Sequence, residues 1–327
     1  MSRWKKLRHR LECLGVALLA RGIPRLPRRA CVWLGNALGV IAYRVDRRGW
    51  AVALENLACV FGKTLPLAGR ERIARASYRN FLRTMLDLFW SANLTPENWR
   101  TWIEPVGFGA LKERLDRESR GAIFVCVHQG NWEWASLTFG FLGLPTTIVA
   151  ENFKNPGLTA SFNALRERTG HAIIPQENSL LRMLKIVKRR GATGMLIDLN
   201  LRPTQAATIV EAFGPDGLKM CVPVLHAVLA QRANALFVPV ETQPRADGTC
   251  RVIAHPGVEI PASAALHEIA QHCWDACEPF VRARPEEWLW AYKHFRYAPK
   301  DATRAYPAYA NHSAKFEKLL RSLSLQR

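Results

Sequence analysis

The chain has 327 residues, which is long for one compact domain and short for three, so one catalytic domain with a helical appendage fits best. Hydrophobic residues make up 49% of the chain, which excludes wholesale disorder. The 46 Lys and Arg outnumber the 27 acids and give a net charge of +19, which predicts an anionic partner. The candidates are nucleic acid, an anionic membrane surface, and an acidic protein or phosphorylated substrate. Because nucleic-acid-binding signatures are lacking and the 11 Trp suit a lipid headgroup interface, we expect no nucleic-acid partner.

Residues 1–118 are predicted to be mostly helical, with a membrane-binding segment first. A basic opening is followed by apolar runs at 14–20 and 30–43, and neither reaches the ~20 residues that cross a bilayer. We therefore expect one or two helices that lie on a membrane, with Arg and Lys on anionic phospholipid headgroups on the cytoplasmic side. The alternative, that both runs are buried helices of a soluble domain, stays open.

From residue 119 to residue 300 the pattern changes to strands that alternate with helices. Strands are predicted at 121–127, 146–150, 171–175, 193–198, 235–242 and 250–254. Helices are predicted at 132–142, 156–168, 179–190, 219–232 and 264–284, a loop at 201–218, and a surface helix in the tail at 301–327. This alternation indicates βαβ units, so the predicted fold class is α/β, a mixed sheet flanked by helices and preceded by the N-terminal helical region.

The segment at 128–133, HQGNWE, carries the chemistry. His128 directly follows an apolar strand, where functional residues gather in α/β folds. Gly130 permits a tight turn, and Asn131 is a predicted N-cap with Glu133 in the first helical turn. A carboxylate that holds an imidazole in one tautomer makes it a general base, so we predict that Glu133 orients His128 to take a proton from a hydroxyl group. The alternative is a histidine at a strand end with an ordinary N-terminal glutamate.

This segment resembles the H-x-x-x-x-(D/E) signature of glycerolipid acyltransferases. It is more closely similar to the H-x-G-N-W-E block of the late acyltransferases of lipid A biosynthesis, in the lysophospholipid acyltransferase-like superfamily; that family also includes mycobacterial phosphatidylinositol-mannoside acyltransferases. Further segments resemble motifs of the family in the same order: N-L-x-x-x-F at 56–61, a loop at 151–156, an arginine block at 165–170, D-Q-N at 198–200, F-F-G at 212–214, and P-x-x-W-x-W at 285–290 with basic residues at 294–296. Two of them depart from the family pattern, since Leu199 stands in place of the Gln of D-Q-N and Ala212 in place of the first Phe of F-F-G. The resemblance implies a glycerolipid-acyltransferase-like fold and O-acyltransferase activity.

The resemblance also implies roles for the residues of the first block. His128 would be the general base and Glu133 its orienting partner. Gln129, Gly130 and Asn131 would shape the turn, and Asn131 would donate a hydrogen bond to an oxyanion or acyl carbonyl.

Five residues of the later motifs are candidates for substrate binding. Arg166 would bind a phosphate or stabilise negative charge through bidentate contacts, with Arg168 as the alternative. Asp198 would orient Arg166 or the acceptor, and Phe213 and Gly214 would line the acceptor or acyl groove. For each of them a structural interpretation stays open: a solvated helix face, a cap, or ordinary turn and core packing. Trp288 and Trp290 are interpreted as core or interfacial anchors.

No metal and no cofactor is expected beyond the acyl thioester, which is a co-substrate. The eight cysteines are scattered, which favours free thiols in a reducing cytosolic compartment. His272, Cys273 and Cys277 are interpreted as part of a helix surface rather than as metal ligands. The sequence contains neither a G-x-x-x-x-G-K-[ST] loop nor a G-x-G-x-x-G motif.

The predicted reaction moves a fatty acyl group from an acyl thioester to a hydroxyl of a lipid A precursor. The resemblance favours acyl carrier protein over coenzyme A as donor, and the basic surface suits that acidic carrier and a phosphorylated lipid acceptor. We expect the protein at the cytoplasmic face of a bacterial inner membrane, as a peripheral or monotopic protein. Two alternatives remain: the same chemistry on another glycolipid or an aminolipid, and a non-catalytic basic protein that binds membrane surfaces.

Overall fold

The computed structural model describes residues 3–150, 153–175, 179–204, 206–214, 216–261 and 263–324, so part of the motif at 151–156 lies outside the described residues. The α-helices are α1 (Arg3–Gly22), α2 (Arg28–Val45), α3 (Arg47–Phe61), α4 (Leu67–Trp90), α5 (Trp99–Trp102), α6 (Phe108–Glu118), α7 (Trp132–Phe141), α8 (Pro156–Glu167), α9 (Ser179–Lys188), α10 (Leu225–Ala233), α11 (Leu266–Ala283) and α12 (Ala314–Ser324). The strands are β1 (Ile103–Val106), β2 (Ala122–Cys126), β3 (Thr146–Ala150), β4 (Ala172–Pro175), β5 (Ala192–Leu196), β6 (Ala207–Ala212), β7 (Leu218–Pro223), β8 (Leu236–Pro244) and β9 (Cys250–Ala254).

Within the described residues, the main sheet has seven strands in the order β1-β9-β8-β2-β5-β3-β4. The pair β8–β9 is antiparallel, and the other neighbouring strands are parallel. Strand β2 lies in the middle, and all of its residues are buried, because an apolar strand of this kind is covered by helices on both faces. The predicted α/β fold, a mixed sheet flanked by helices, is confirmed.

Strands β3 and β5 separate towards their carboxyl ends. They pair from Thr146 opposite Ala192 to Ile148 opposite Gly194, whereas β2 and β5 stay paired as far as Leu196. The described residues that follow in β3 and β5 do not pair with each other. The carboxyl edge of a parallel sheet is where α/β folds place ligands, so this gap marks a place for a binding site.

Helices of the N-terminal region pack on both faces of the sheet. On one face Leu57 of α3 and Ile73 of α4 join Val125 of β2 in one buried cluster. On the other face Phe89 of α4 joins Phe124 of β2, because successive residues of a strand point to opposite faces. Strand β1 lies before the predicted boundary at residue 118 and pairs with β9. The domain limits 1–118, 119–300 and 301–327 stay a prediction.

Two of the predicted elements are wrong. The segment 201–218 was expected to be a loop, but it contains β6, and the helix expected at 219–232 begins with strand β7 before α10. These strands pair antiparallel from Ala207 opposite Pro223 to Ala212 opposite Leu218. The two strands form a hairpin, in which the backbone groups of each strand are satisfied only when the other strand is present.

Helix α11 places Cys273 and Cys277 in the core. Both side chains are fully buried, whereas His272 is exposed, so the interpretation of the two cysteines as helix surface is wrong. Residues four apart lie on the same face of a helix, and here that face packs inward.

The two apolar runs of the N-terminus lie in α1 and α2. Over the described part of the chain, no helix combines the length and hydrophobicity that crossing a bilayer requires.

Candidate active site

A turn after β2 positions His128. Gly130 has a φ of +60°, and a Cβ atom at this position would lie 2.3 Å from the hydroxyl oxygen of Thr242, so the turn requires glycine. Asn131 then caps α7, because its side-chain oxygen accepts a hydrogen bond of 3.0 Å from the backbone N–H of Trp134. The chain therefore passes from strand to helix in a tight turn, as the sequence predicts.

Distant parts of the chain hold this turn. The backbone N–H of Gly130 donates a hydrogen bond of 3.2 Å to the carbonyl of Glu287, a residue of the P-x-x-W-x-W motif. The carbonyl of Gly130 accepts hydrogen bonds of 2.9 Å each from Asn80 and Thr84 of α4. The N-terminal helices and the C-terminal motif therefore meet at the turn.

The imidazole of His128 is hydrogen-bonded to Asp198, which follows β5. Nδ1 of His128 lies 2.8 Å from Oδ1 of Asp198, and the backbone N–H of His128 donates to Oδ2 at 2.9 Å. Because β2 and β5 are parallel and pair at Cys126 and Leu196, the two residues leave the sheet side by side. The contact occupies Nδ1, so Nε2 is the ring nitrogen that can serve a substrate.

Asp198 is a buried and fully hydrogen-bonded carboxylate. The indole N–H of Trp288 donates to its Oδ2 at 2.8 Å, and the ring of His294 stacks on Trp288 with 3.9 Å between centroids. Burial would raise the pKa of Asp198, but the charge and hydrogen bonds of His128 outweigh burial and lower the pKa to about 2. The carboxylate is therefore ionised at neutral pH and can stabilise a protonated imidazole.

Glu133 binds Arg166 rather than His128. Nε of Arg166 donates to Oε2 of Glu133 at 3.0 Å, and Nη2 donates to Oε1 at 2.6 Å. The predictions that Glu133 orients His128 and that Asp198 orients Arg166 are therefore wrong in their pairing. Parallel strand ends bring Asp198 beside the imidazole, whereas Glu133 in the first turn of α7 faces α8. Burial would lower the pKa of Arg166, but the Glu133 carboxylate reverses that and raises it.

A cavity of about 730 Å³ opens beside this group of residues. His128, Glu133 and Arg166 form part of its wall, and most of the remaining wall is apolar. Its side chains come mainly from α7 and α8 on one face of the sheet, from α9 and α10 on the other, and from β2, β3 and β5 between them. Apolar wall residues include Phe124, Phe139, Ile148, Leu180, Met195 and Val228. The volume lies in the range of sites for small molecules and lipid chains.

The side-chain amides of Gln129 and Asn131, in the HQGNWE block, bind other parts of the protein rather than facing the cavity. Both amide donors of Gln129 are used, in hydrogen bonds to the carbonyls of Phe280 at 2.7 Å and Arg284 at 3.1 Å. Nδ2 of Asn131 donates to Asp87 at 2.8 Å. Among the described residues, neither Gln129 nor Asn131 lines the cavity. These contacts fit the predicted shaping of the turn, but they direct the amide of Asn131 to Asp87 and not to an oxyanion.

Three further candidates lie away from the cavity wall. Arg168 donates to the carbonyl of Ala92 at 3.1 Å. Phe213 is buried in an aromatic cluster with Trp274 and with both tryptophans of the P-x-x-W-x-W motif. Gly214, with a φ of +98°, lies in the turn between β6 and β7. The structural interpretation of Phe213 and Gly214 as core and turn therefore describes them better than the groove interpretation.

Sequence reasoning missed two residues of the site. Trp288 was interpreted as an anchor, and it is fully buried, but its indole N–H also binds Asp198. His226 of α10 lines the cavity and belongs to none of the motifs. The only signal for His226 was a histidine inside an apolar helical run, which more often indicates a satisfied core residue.

An imidazole that is hydrogen-bonded to a buried carboxylate, beside an apolar cavity at the carboxyl edge of a mostly parallel sheet, is an arrangement that suits an enzyme acting on lipid-like substrates. Residues 2–297 match the family described as bacterial lipid A biosynthesis acyltransferase. The chain belongs to this family and is an acyltransferase, so the resemblance seen in the motifs is confirmed.

A curated relative supports the same reaction class. The chain is 25% identical over 235 residues to the phosphatidylinositol mannoside acyltransferase of Mycolicibacterium smegmatis. The match covers 71% of this chain and 75% of that protein.

Proposed function

We propose that the protein transfers a fatty acyl group from an acyl thioester to a hydroxyl group of a lipid A precursor. One observation carries the proposal: the imidazole of His128 is hydrogen-bonded at Nδ1 to the buried carboxylate of Asp198 and belongs to the wall of a largely apolar cavity. An imidazole held in this way acts as a general base, and the cavity suits a lipid chain. The family supplies the class of reaction, which is acyl transfer.

In the proposed reaction Nε2 of His128 takes the proton of the acceptor hydroxyl. At the same time the hydroxyl oxygen attacks the carbonyl carbon of the thioester. The new C–O bond forms as the carbonyl electron pair moves onto oxygen. When the carbonyl re-forms, the C–S bond breaks, and the departing thiolate takes the proton from Nε2. Asp198 keeps the proton on Nδ1 and stabilises the imidazolium that exists between the two steps.

The pair of Glu133 and Arg166 gives the cavity a charged edge. Glu133 binds two N–H groups of the guanidinium, which fixes its plane, and a guanidinium carries five such donors in all. We assign to Arg166 the binding of a phosphate group on the acceptor or donor, since this side chain suits oxyanions. Arg168, whose side chain binds the Ala92 carbonyl, is the alternative.

Helix α1 supports attachment to an anionic phospholipid membrane at the cytoplasmic face of the inner membrane. It exposes large apolar side chains at helical spacing, on a helix that also carries several Arg and Lys. These apolar residues are Trp4, Leu7, Leu11, Leu14 and Leu18. Asn155, which caps α8, donates to the carbonyl of His9 in α1 at 3.0 Å. Since α8 carries Arg166, a membrane bound by α1 would lie close to the cavity.

The membrane proposal has a direct test. The double variant Leu11→Glu with Leu18→Glu should bind vesicles of anionic phospholipid more than about tenfold less well than the parent, because burial of each leucine contributes about 1.5–3 kcal/mol. Leu67→Glu, at an equally exposed leucine of α4, is the control and should bind like the parent. Equal binding by the parent and the double variant would refute this membrane contact.

The acyl donor is proposed to be acyl carrier protein rather than coenzyme A. The net charge of +19 favours association with an acidic carrier protein, and such association is sensitive to salt. Coenzyme A thioesters offer the same reacting bond without the protein surface.

The main alternative acceptor is a phosphatidylinositol mannoside, because the mycobacterial relative is named for acylation of that lipid. Purified protein should be mixed with thioesters of acyl carrier protein and of coenzyme A and with a panel of acceptors: lipid A precursors, phosphatidylinositol mannosides, other glycolipids and aminolipids. Mass spectrometry of the products should show one more acyl chain on the lipid A precursor. Acylation of another acceptor alone would refute the lipid A assignment and keep the chemistry.

His128→Ala separates catalysis from binding. We expect loss of acyl transfer while binding to anionic vesicles is retained. Unchanged function in this variant would favour the non-catalytic membrane-surface protein.

A further inference from the structure

His226 is a fully buried histidine on the wall of the cavity. It lies at the start of α10. In the part of the chain that the structure describes, neither of its ring nitrogens is hydrogen-bonded. Buried polar groups are nearly always paired in folded proteins, so an unpaired imidazole on the wall of a binding cavity calls for a ligand.

The imidazole of His226 is neutral in the folded protein. Burial lowers its pKa to about 4, so at neutral pH one ring nitrogen donates a hydrogen bond and the other accepts one. A hydroxyl group can pair with either ring nitrogen, because it can accept from the N–H or donate to the unprotonated nitrogen, whereas a hydrocarbon chain pairs with neither.

The cavity connects His226 with the catalytic group across the sheet. His128 lies on the side of α7, whereas Ala227 and Leu229, beside His226 in α10, belong to the core on the opposite face. The passage is the gap beyond Ile148 and Gly194, where β3 and β5 no longer pair. A chain whose carbonyl is at His128 would therefore run through the gap towards α10.

We propose that His226 binds a hydroxyl group on the acyl chain, so that the cavity prefers hydroxyacyl over unsubstituted acyl donors. This proposal rests on the proposed function, since it takes the cavity to be the acyl site. The burial of His226 selects the acyl tail as the source of the hydroxyl. The thiol-bearing arm of the donor must stay connected to its carrier outside the protein, whereas the tail enters the interior.

The test compares thioesters of equal chain length, one saturated and the others with a single hydroxyl at successive carbons. We expect at least one hydroxylated donor to have a kcat/KM about tenfold or more above that of the saturated donor, which corresponds to about 1.4 kcal/mol. His226→Leu should bring this ratio close to one. His226→Gln, which retains a donor and an acceptor, should restore part of the preference.

A matched control is His267→Leu. His267 is also a buried histidine whose ring nitrogens lack partners among the described residues, but it lies outside the cavity. The ratio should not change in this variant, which separates recognition of the hydroxyl from the general effect of replacing a buried histidine.

Binding of free fatty acids provides a readout that does not need turnover. Hydroxylated and plain fatty acids should compete with a fluorescent fatty acid, with the same preference and the same loss in His226→Leu. A preference for the plain chain, or one that survives His226→Leu, would overturn the proposal for His226. Absence of transfer from every thioester would instead overturn the proposed function, and the fatty acid competition would then decide on His226 alone.

Discussion

Asp198→Asn tests which carboxylate supports the imidazole. The wild-type carboxylate accepts three hydrogen bonds, from Nδ1 and the backbone N–H of His128 and from the indole of Trp288. The amide keeps the shape but has one oxygen acceptor and one NH₂ donor. With the NH₂ towards His128, Nδ1 must accept, the proton moves to Nε2, and the base is lost. With the oxygen towards His128, the NH₂ faces two donors, and at neutral pH the charge that stabilises the imidazolium is gone.

Either orientation predicts a large loss of turnover with a folded protein. In a serine protease, the corresponding change of aspartate to asparagine lowers kcat about 10⁴-fold, so we expect a loss of about 10³–10⁴-fold here, or about 4–5.5 kcal/mol in activation free energy. Leaving donors unpaired in the interior should cost about 1–3 kcal/mol of folding free energy. The assay is the acyl transfer rate with purified protein, beside thermal unfolding to show that the variant is folded.

The matched comparison is Glu133→Gln. It removes the charge that pairs with Arg166, so we expect a raised KM for a phosphorylated acceptor and a smaller loss of kcat than in Asp198→Asn. A kcat within about tenfold of wild type for Asp198→Asn, together with loss of turnover in Glu133→Gln, would refute the assignment of Asp198 as the partner of His128.

The pH dependence of stability offers a second view of Asp198. Its pKa falls from 3.8 to about 2 on folding, so the ionised form stabilises the folded protein above about pH 4. This contribution is lost as the pH falls from about 4 to about 2, and the asparagine variant should lack that part of the acid sensitivity.

Two other variants probe the frame of the site. Arg28→Met should lower the free energy of unfolding by about 3–5 kcal/mol, because it leaves Asp87 buried without its ion-pair partner, and a loss below about 1 kcal/mol in chemical denaturation would contradict this. Glu287 is the second position. Burial raises its pKa from 4.5 to about 7, although the hydrogen bond with Arg284 opposes this shift. The protonated side chain therefore contributes stability that is fully present below about pH 4.5 and is lost as the pH rises through 7. Glu287→Gln should remove this loss, with a gain of roughly 1–3 kcal/mol over wild type at pH 8 and little difference at pH 5, whereas parallel unfolding curves from pH 5 to 8 would count against it.

The local patterns of the sequence predicted most elements of the fold. The strands at 146–150 and 250–254 are found with the predicted limits, and the strand before His128 is found within a residue or two. Hydrophobic periodicity is a property of neighbouring residues, so it can be read without knowledge of the fold. The hairpin of β6 and β7 was missed because its strands are stabilised by each other.

The candidate site shows the same division. Motifs identified His128, Glu133, Arg166 and Asp198 as candidates, but Glu133 was paired with His128 because the two are close in sequence. Glu133 is near His128 along the chain, yet its partner is on α8, and the partner of His128 is 70 residues away. Spacing along a helix or turn could not show this, because the register of two parallel strands decides it.

The sequence by itself determined the family, the α/β class and the turn with its glycine and N-cap, since these depend on residue types and local conformation. Only the tertiary structure decided which acid meets the imidazole, which helices enclose the cavity, and that His226 lies on its wall. These features arise where strands distant in the chain pair in one register, and the free energy of that pairing comes from contacts that no single segment contains.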